Sequence, residues 1–185
     1  MTIVLKQLVV GGGVALMSVV SLASLPLAAG SAPPQTTVRS EKNGDAEFVK
    51  RVAEGGQKEI EAGKLALRQA ASADVRTFAD RMVKDHTTSN AELLSLADTP
   101  PPAAPDPTRS PLAALAAQTG PAFDRAYLGQ SVTDHEVMVA LFEQEASSGK
   151  DARLKLWAEQ KLPALREHLE MARGLLAKVA PSSAP

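Results

Sequence analysis

Apolar side chains recur every three to four residues along most of the chain after residue 44, which is the period of an amphipathic α-helix. Ser72 is a candidate N-cap, Pro121 suits the first turn of a helix, and Gly149 suits a helix end. Pro163 lies inside the last periodic segment and predicts a kink there. The pattern predicts four long helices, over about residues 45–70, 73–97, 120–148 and 151–179.

The connections between these helices differ in length. The first and last pairs are separated by only a few residues, so each pair should form an antiparallel hairpin. Between the hairpins lies the run TPPPAAPDPTRSP, whose prolines exclude a helix, followed by an apolar piece at 112–117 that suits one or two helical turns. A Pro-rich crossover over 98–120 predicts an all-α, ferritin-like four-helix bundle. A proline-rich linker can also join independent units, but a lone hairpin buries too little surface, so we expect the hairpins to pack together.

The N-terminus has the pattern of a targeting segment. Lys6 precedes an uncharged apolar run at 8–25, and small residues follow it. This predicts a signal peptide over residues 1–30, cleaved near residues 29–32, and export to the periplasm, peripheral to the envelope or free. The alternative is an uncleaved anchor, because the run is almost long enough to span a bilayer. We expect a flexible lead-in at 31–44, a disordered tail at 180–185 and no membrane span in the mature chain.

Composition excludes several classes of function. The chain has 20 basic and 21 acidic residues without a basic stripe, so nucleic acid is not an expected partner. It has no cysteine, which excludes disulfides, thiolate metal sites and cysteine nucleophiles. The sequence is compatible with a homo-oligomer and identifies no protein partner.

Polar residues interrupt the apolar stripe of every predicted helix. Glu59 lies on the first helix between Gly56 and Gly63, which would let another backbone come close. The chain has three histidines, one on each remaining helix: His86, His135 and His168.

Counting residues from the two turns estimates the depth of these side chains. Glu59 lies 13 residues before Ser72, His86 lies 14 after it, and His135 lies 14 before Gly149. His168 lies 19 residues after Gly149, about 7 Å further along a straight helix. We therefore expect Glu59, His86 and His135 to cluster tightly and His168 to join them more loosely.

One carboxylate and several imidazoles in an apolar bundle are typical ligands of zinc, iron or copper. The sequence therefore predicts a transition-metal cofactor bound by Glu59, His86, His135 and His168. The alternative is a buried polar network that fixes the register of the helices. The usual di-iron pattern of Glu-x-x-His is missing, because Val83, Val132 and Leu165 precede the histidines by three residues. A dinuclear ferroxidase site and iron storage are therefore not predicted.

Other side chains near the histidines have candidate supporting roles. An acidic residue directly precedes each histidine and could orient a ring or add a ligand: Asp85, Asp134 and Glu167. Tyr127 lies two turns before His135 and could donate a hydrogen bond, although packing is the simpler interpretation. Three methionines lie three or four residues from a histidine: Met82, Met138 and Met171. Thioethers with imidazoles suit Cu(I), and the alternative is that methionine fills gaps in the core.

Three segments together resemble a bacterial family of exported proteins known as a ferritin-like domain of unknown function. These segments are EIEAGKLALRQAASADVRTFADRMVKDHTTSNAEL, FDRAYLGQSVTDHEVMVALFE and LPALREHLEMA. The family pattern is matched by Glu59, Asp85-His86, Phe123-Asp124 with Tyr127, His135 and His168. The resemblance covers about residues 48–177 and implies the fold and the exported location. It implies no established reaction.

Three functions remain open from the sequence. The first is an exported metal-binding bundle that acts as a metal buffer, chaperone or redox protein. The second is a metal-free interaction or envelope stress-related module, whose polar core is structural. The third, a hydrolase, ranks last because the chain has no nucleophile motif or oxyanion-type glycine loop.

Overall fold

The computed structural model describes residues 36–103 and 111–179. The predicted signal peptide, the middle of the crossover and the tail at 180–185 lie outside the described residues. One boundary differs from the expectation. The first helix begins at Thr36, so much of the stretch predicted as a flexible lead-in is helical.

Within the described residues the chain is all helical, with five helices and no strand. Four are long, and the short α3 lies in the crossover, where the sequence predicted one or two turns. The helices are α1 (Thr36–Gln69), α2 (Ala73–Leu96), α3 (Pro111–Ala116), α4 (Gly120–Ser148) and α5 (Ala152–Val179).

Neighbouring helices pack as two hairpins, α1 with α2 and α4 with α5, and the hairpins contact each other through α1–α4 and α2–α5. The α5 helix is continuous through Pro163. Gly63 brings α1 close to α2, because a Cβ added there would lie 2.7 Å from Val83 Cγ2 and 3.2 Å from the Ala79 carbonyl oxygen. No described helix is both long and apolar enough to span a membrane.

The buried apolar side chains of the described residues form two clusters at different heights along the bundle. One lies toward the α1–α2 turn and contains Val75, Phe78, Met82, Phe123 and Leu128 among others. The other lies toward the α4–α5 turn and includes Phe48, Leu93, Phe142, Trp157 and Leu165. Along each long helix a buried glutamate or histidine lies between the two clusters. We call these four residues the histidine layer: Glu59, His86, His135 and His168.

Each hairpin turn is held by an aspartate from the other hairpin. The two carboxylate oxygens of Asp124, on α4, accept hydrogen bonds from the backbone N–H groups of Ala71 and Ser72 at 3.0 and 2.8 Å. Asp45, on α1, accepts in the same way from the backbone N–H groups of Lys150 and Asp151, at 3.0 and 2.7 Å. The free N–H groups at a helix start need such acceptors, so these contacts fix both turns and dock the hairpins together.

Two predicted helix ends, at Ser72 and Gly149, lie where the sequence placed them but differ in their contacts or conformation from the usual caps. Ser72 is the N-cap of α2 in position and backbone conformation, but its side chain makes no capping bond. Its own backbone N–H donates to Asp124. Gly149 ends α4 without a left-handed conformation, at φ −54°. A Cβ at Gly149 would lie 2.6 Å from the backbone carbonyl oxygen of Glu145, so glycine is needed there for space.

Candidate metal centre

The three histidines meet in the middle of the bundle, between the two apolar clusters. Their ring centroids are 5.5 Å apart for His86–His135, 5.7 Å for His86–His168 and 5.5 Å for His135–His168. One ring nitrogen from each lies within 4.8 Å of the others. The three residues are at most 9% exposed, so the group is buried in the bundle.

Hydrogen bonds fix which nitrogen of two of these rings is free. His135 Nδ1 is 2.9 Å from the carbonyl oxygen of Ser131, and His168 Nε2 is 2.9 Å from Asp85 Oδ2. A carbonyl and a carboxylate only accept, so both ring nitrogens must carry the proton. The opposite nitrogens, His135 Nε2 and His168 Nδ1, therefore present lone pairs. Neither they nor His86 Nε2 has a hydrogen-bond partner among the described residues.

The surroundings keep these imidazoles neutral. Burial, and then the neighbouring rings of His135 and His168, lower the pKa of His86 to about 3. Burial also lowers the pKa of His135 to about 4, against the opposing effect of its bond to Ser131. The pKa of His168 is lowered by burial too, although Asp85 opposes the shift. Neutral imidazole is the form that binds metal ions.

A chain of ion pairs supports His168 from the surface. Arg81 donates to Asp85 at 3.3 Å and makes a two-pronged contact with Glu167 at 2.8 and 2.7 Å. Burial raises the pKa of Asp85, but hydrogen bonds from His168 and Arg81 outweigh it, and its pKa lies below the usual value. Asp85 is therefore an ionised acceptor that orients a histidine ring, as carboxylates commonly do beside metals. The ring is that of His168 on α5 and not that of its sequence neighbour His86.

Glu59 lines the same cavity as the three histidines but does not belong to the group that meets within 4.8 Å. It is 5% exposed. Nearby Asp134 accepts hydrogen bonds from Lys58 Nζ at 2.8 and 2.6 Å. Burial, followed by the charge of Asp134, raises the pKa of Glu59 to about 8. The expected tight cluster of Glu59, His86 and His135 is thus replaced by a cluster of three histidines, in which His168 is a full member.

A cavity of about 310 Å³ opens beside the histidines. All three rings line it together with Glu59, and Phe142, Trp157 and Leu165 are among its apolar walls. Its size lies at the lower end of the range for small-molecule pockets, roughly 300–1,000 Å³.

The remaining predicted residues are spread around this cavity. Met138 lines it, whereas Met82 is in the cluster near the α1–α2 turn, and the Met171 sulfur accepts a bond from Arg81. Tyr127 is packed between Phe78 and Phe123, away from the cavity lining, and its hydroxyl has no partner among the described residues.

Sequence reasoning missed three residues that shape the site: Lys58, Arg81 and Ser131. The Ser131 backbone selects the tautomer of His135, and its position four residues before that histidine was the available signal. The contacts of Lys58 and Arg81 join different helices, to Asp134 and Glu167. They depend on how the helices are rotated about their axes, which a single sequence does not reveal.

Residues 29–175 match the model of a family described as a domain of unknown function, DUF4142. The chain belongs to the DUF4142 family. The predicted relation to a domain-of-unknown-function family is therefore confirmed. No curated protein matches this DUF4142 chain.

A solved structure shares the fold of this DUF4142 protein. It is a DUF305 protein from Streptomyces coelicolor, described as a presumed secreted protein, with a TM-score of 0.64 and 15% identity. The match covers 77% of this chain and 97% of the other. At this identity the likeness concerns the fold alone.

Proposed function

We propose that this protein is an exported helical bundle that binds one divalent transition-metal ion through His86, His135 and His168. The observation that supports it is the convergence of the three rings, in which one nitrogen of each lies within 4.8 Å of the others. Each ring also has one buried nitrogen without a hydrogen-bond partner among the described residues. Buried polar atoms are almost always paired, and leaving each one unpaired costs about 1–3 kcal/mol. A metal ion would satisfy all three nitrogens at once.

The donor set limits the choice of metal. Neutral imidazoles suit zinc, iron and copper, and three protein ligands with one further position is the usual arrangement of a zinc site open to other ligands. Glu59, predicted as a ligand, is assigned here to the surroundings of the metal. A copper version of the proposal depends on Met138, since it is the one of the three candidate methionines that lines the cavity.

The exported location rests on the N-terminal signal pattern, and the secreted DUF305 protein of the same fold supports it. The ferritin-like assignment rests on the two hairpins and their long crossover. In the periplasm such a protein would act as a metal buffer, a metal chaperone or a redox protein.

A second candidate is a metal-free module whose polar core sets helix register. The chain of contacts from His168 through Asp85 and Arg81 to Glu167 favours it, because it joins α2 to α5. A structural network does not explain His86 Nε2 or His135 Nε2, which have no hydrogen-bond partner in the described part of the chain. A metal site would explain these unpaired nitrogens, and the contacts of His168 would then orient one of its ligands.

Metal content of the mature protein tests the proposal. The protein is purified from the periplasm without an affinity tag or chelator and analysed by mass spectrometry beside the variant His86→Ala/His135→Ala. We expect about one metal ion per wild-type chain and none in the variant. The control is Thr88→Ala/Ser89→Ala, which alters the same cavity without removing an imidazole. A wild-type protein that stays metal-free after reconstitution with zinc, iron and copper contradicts the proposal and favours the register network.

A further inference from the structure

Two aromatic rings held in fixed positions form part of the cavity wall beside the histidines. Phe142 and Trp157 both line the cavity, and their ring centroids are 5.4 Å apart. Phe48 packs edge-on against each of them, at centroid distances of 5.1 and 6.3 Å. The indole N–H of Trp157 also donates to Glu92 at 3.1 Å. Such a wall favours a further ring, because aromatic rings attract one another beyond the effect of burying their area.

The partly exposed charged side chains that line the cavity already have partners. Two lysines and two aspartates of the lining take part in three ion pairs, which are Lys58–Asp134, Lys161–Glu92 and Asp85–Arg81. A charged ligand would lose its hydration on entering the cavity without gaining a free partner from these pairs. The lining therefore favours an uncharged ligand.

The cavity has room for a ligand of one or two rings and a route to the surface. Its volume is about 310 Å³. An apolar cavity of roughly 150 Å³ is enough to hold a benzene molecule. Thr88 on α2 and Ala164 on α5 both line the cavity and are exposed, so its entrance lies at the seam between these two helices.

We infer that this cavity binds a small uncharged aromatic molecule of one or two rings, which packs against Phe142 and Trp157. The inference goes beyond the proposed metal site and does not rest on it. The two rings that carry it belong to the apolar cluster toward the α4–α5 turn, and they are not among the three residues that would hold the ion.

An NMR titration of the mature protein with indole tests this inference. The chain has a single tryptophan, so the indole N–H of Trp157 gives one side-chain signal that reports on the aromatic wall. We expect unlabelled indole to shift this signal along a saturable curve, because the ring of a bound ligand changes the local magnetic field. Indole carboxamide should bind as well, whereas indole carboxylate, which differs by its charge, should bind about 10-fold more weakly or worse.

A substitution at the entrance tests the position of the ligand. Ala164→Phe adds a ring at the seam between α2 and α5, and we expect the affinity for indole to fall about 10-fold or more. The control is Ala140→Phe, the same change at an exposed alanine of α4 outside the cavity lining, which should leave the affinity unchanged. Both positions are exposed, so both variants should fold.

Each outcome decides one part of the inference. A Trp157 signal that indole does not shift overturns the site, and so does equal affinity for indole in the wild type and Ala164→Phe. Equal affinity for the carboxamide and the carboxylate overturns the preference for an uncharged ligand. Should Ala164→Phe not fold, the Trp157 signal of the wild type decides. Metal content measured on the same preparation tests the proposed function separately, since a metal-free protein that binds indole overturns only the metal site.

Discussion

Two sets of buried polar groups lie at different heights in the same bundle and differ in their hydrogen bonding. At the α1–α2 turn, Asp124 is 2% exposed and both of its oxygens accept backbone N–H groups. In the histidine layer, one nitrogen of each ring and Glu59 Oε2 have no partner within the described ranges. Both regions are enclosed by apolar side chains, so differences in burial do not explain the contrast.

This difference in hydrogen bonding separates a group that stabilises the fold, Asp124, from a group that is available to a ligand, the histidine layer. A fully paired buried carboxylate stabilises the native state through its own contacts. A layer with several unpaired atoms lowers stability unless something binds there. Asp124 is therefore a structural residue despite belonging to the motif that the family resemblance singled out, and the histidine layer is the candidate site.

Removing Asp124 should have the largest effect on stability. Asp124→Ala leaves the backbone N–H groups of Ala71 and Ser72 without their acceptor, and we expect a loss of about 2–4 kcal/mol in the free energy of unfolding. Urea denaturation of the metal-free protein measures it. Asp45→Ala removes the matching clamp at the α4–α5 turn, where the partners are more exposed, and should cost less. A loss below 1 kcal/mol for Asp124→Ala would remove the contrast between the two regions.

Removing Asp85 should instead weaken metal binding while changing stability little. Without this acceptor the ring of His168 is no longer held with Nδ1 free, so we expect the metal affinity to fall about 10- to 100-fold. Competition with a chromogenic chelator measures the affinity of wild type and Asp85→Ala. Asp80→Ala is the control, since Asp80 lies one turn earlier on α2 in a surface pair with Lys84. Unchanged affinity in Asp85→Ala would show that the Asp85–His168 contact is only structural.

The helical architecture was predictable because its signals are local. Periodicity, Pro121 and Gly149 depend on neighbours in the chain, and α2, α4 and α5 end close to the predicted residues. The predicted start of α1 was wrong, because a polar stretch without an apolar stripe does not indicate the helix that continues through it.

The candidate site was predictable only in part. The apolar surroundings of the three histidines identified them, but counting along straight helices placed His168 too far from the others. Depth in a bundle also depends on the offset between helices, which long-range packing sets. Which carboxylate meets which ring depends on helix rotation, and for this reason the link from Asp85 to His168 was not foreseen.

Glu145 supplies a third case, in which a buried polar atom is unpaired outside the group of three histidines. It is 5% exposed, and its Oε1 has no partner in the part of the chain that the structure describes. Burial, followed by the charges of Asp45 and Asp151, raises its pKa to about 7, against the opposing charge of Lys155. An unpaired oxygen therefore indicates a ligand only where several donors converge. A lone carboxyl group can reduce the cost of burial by keeping its proton.

Replacing Glu145 should give the smallest effect, and one that depends on pH. In the unfolded chain this carboxyl loses its proton near the ordinary value of 4.5, whereas the folded protein keeps it to about 7. Between these values the folded state binds more protons, so stability falls as pH rises and then levels off. Glu145→Gln should remove this fall, so that its stability relative to wild type is greater at pH 8 than at pH 5 by on the order of 1 kcal/mol.

Urea denaturation at pH 5 and pH 8 measures the difference for Glu145→Gln. The control is Glu143→Gln. Glu143 is a surface carboxylate on the same helix as Glu145, and it pairs with Arg166 of α5. A pH dependence equal to that of wild type would mean that Glu145 is ionised in the folded protein. Its unpaired oxygen would then need a cationic partner. Glu145 would no longer differ from the histidine layer, where we propose that a bound cation satisfies the unpaired atoms.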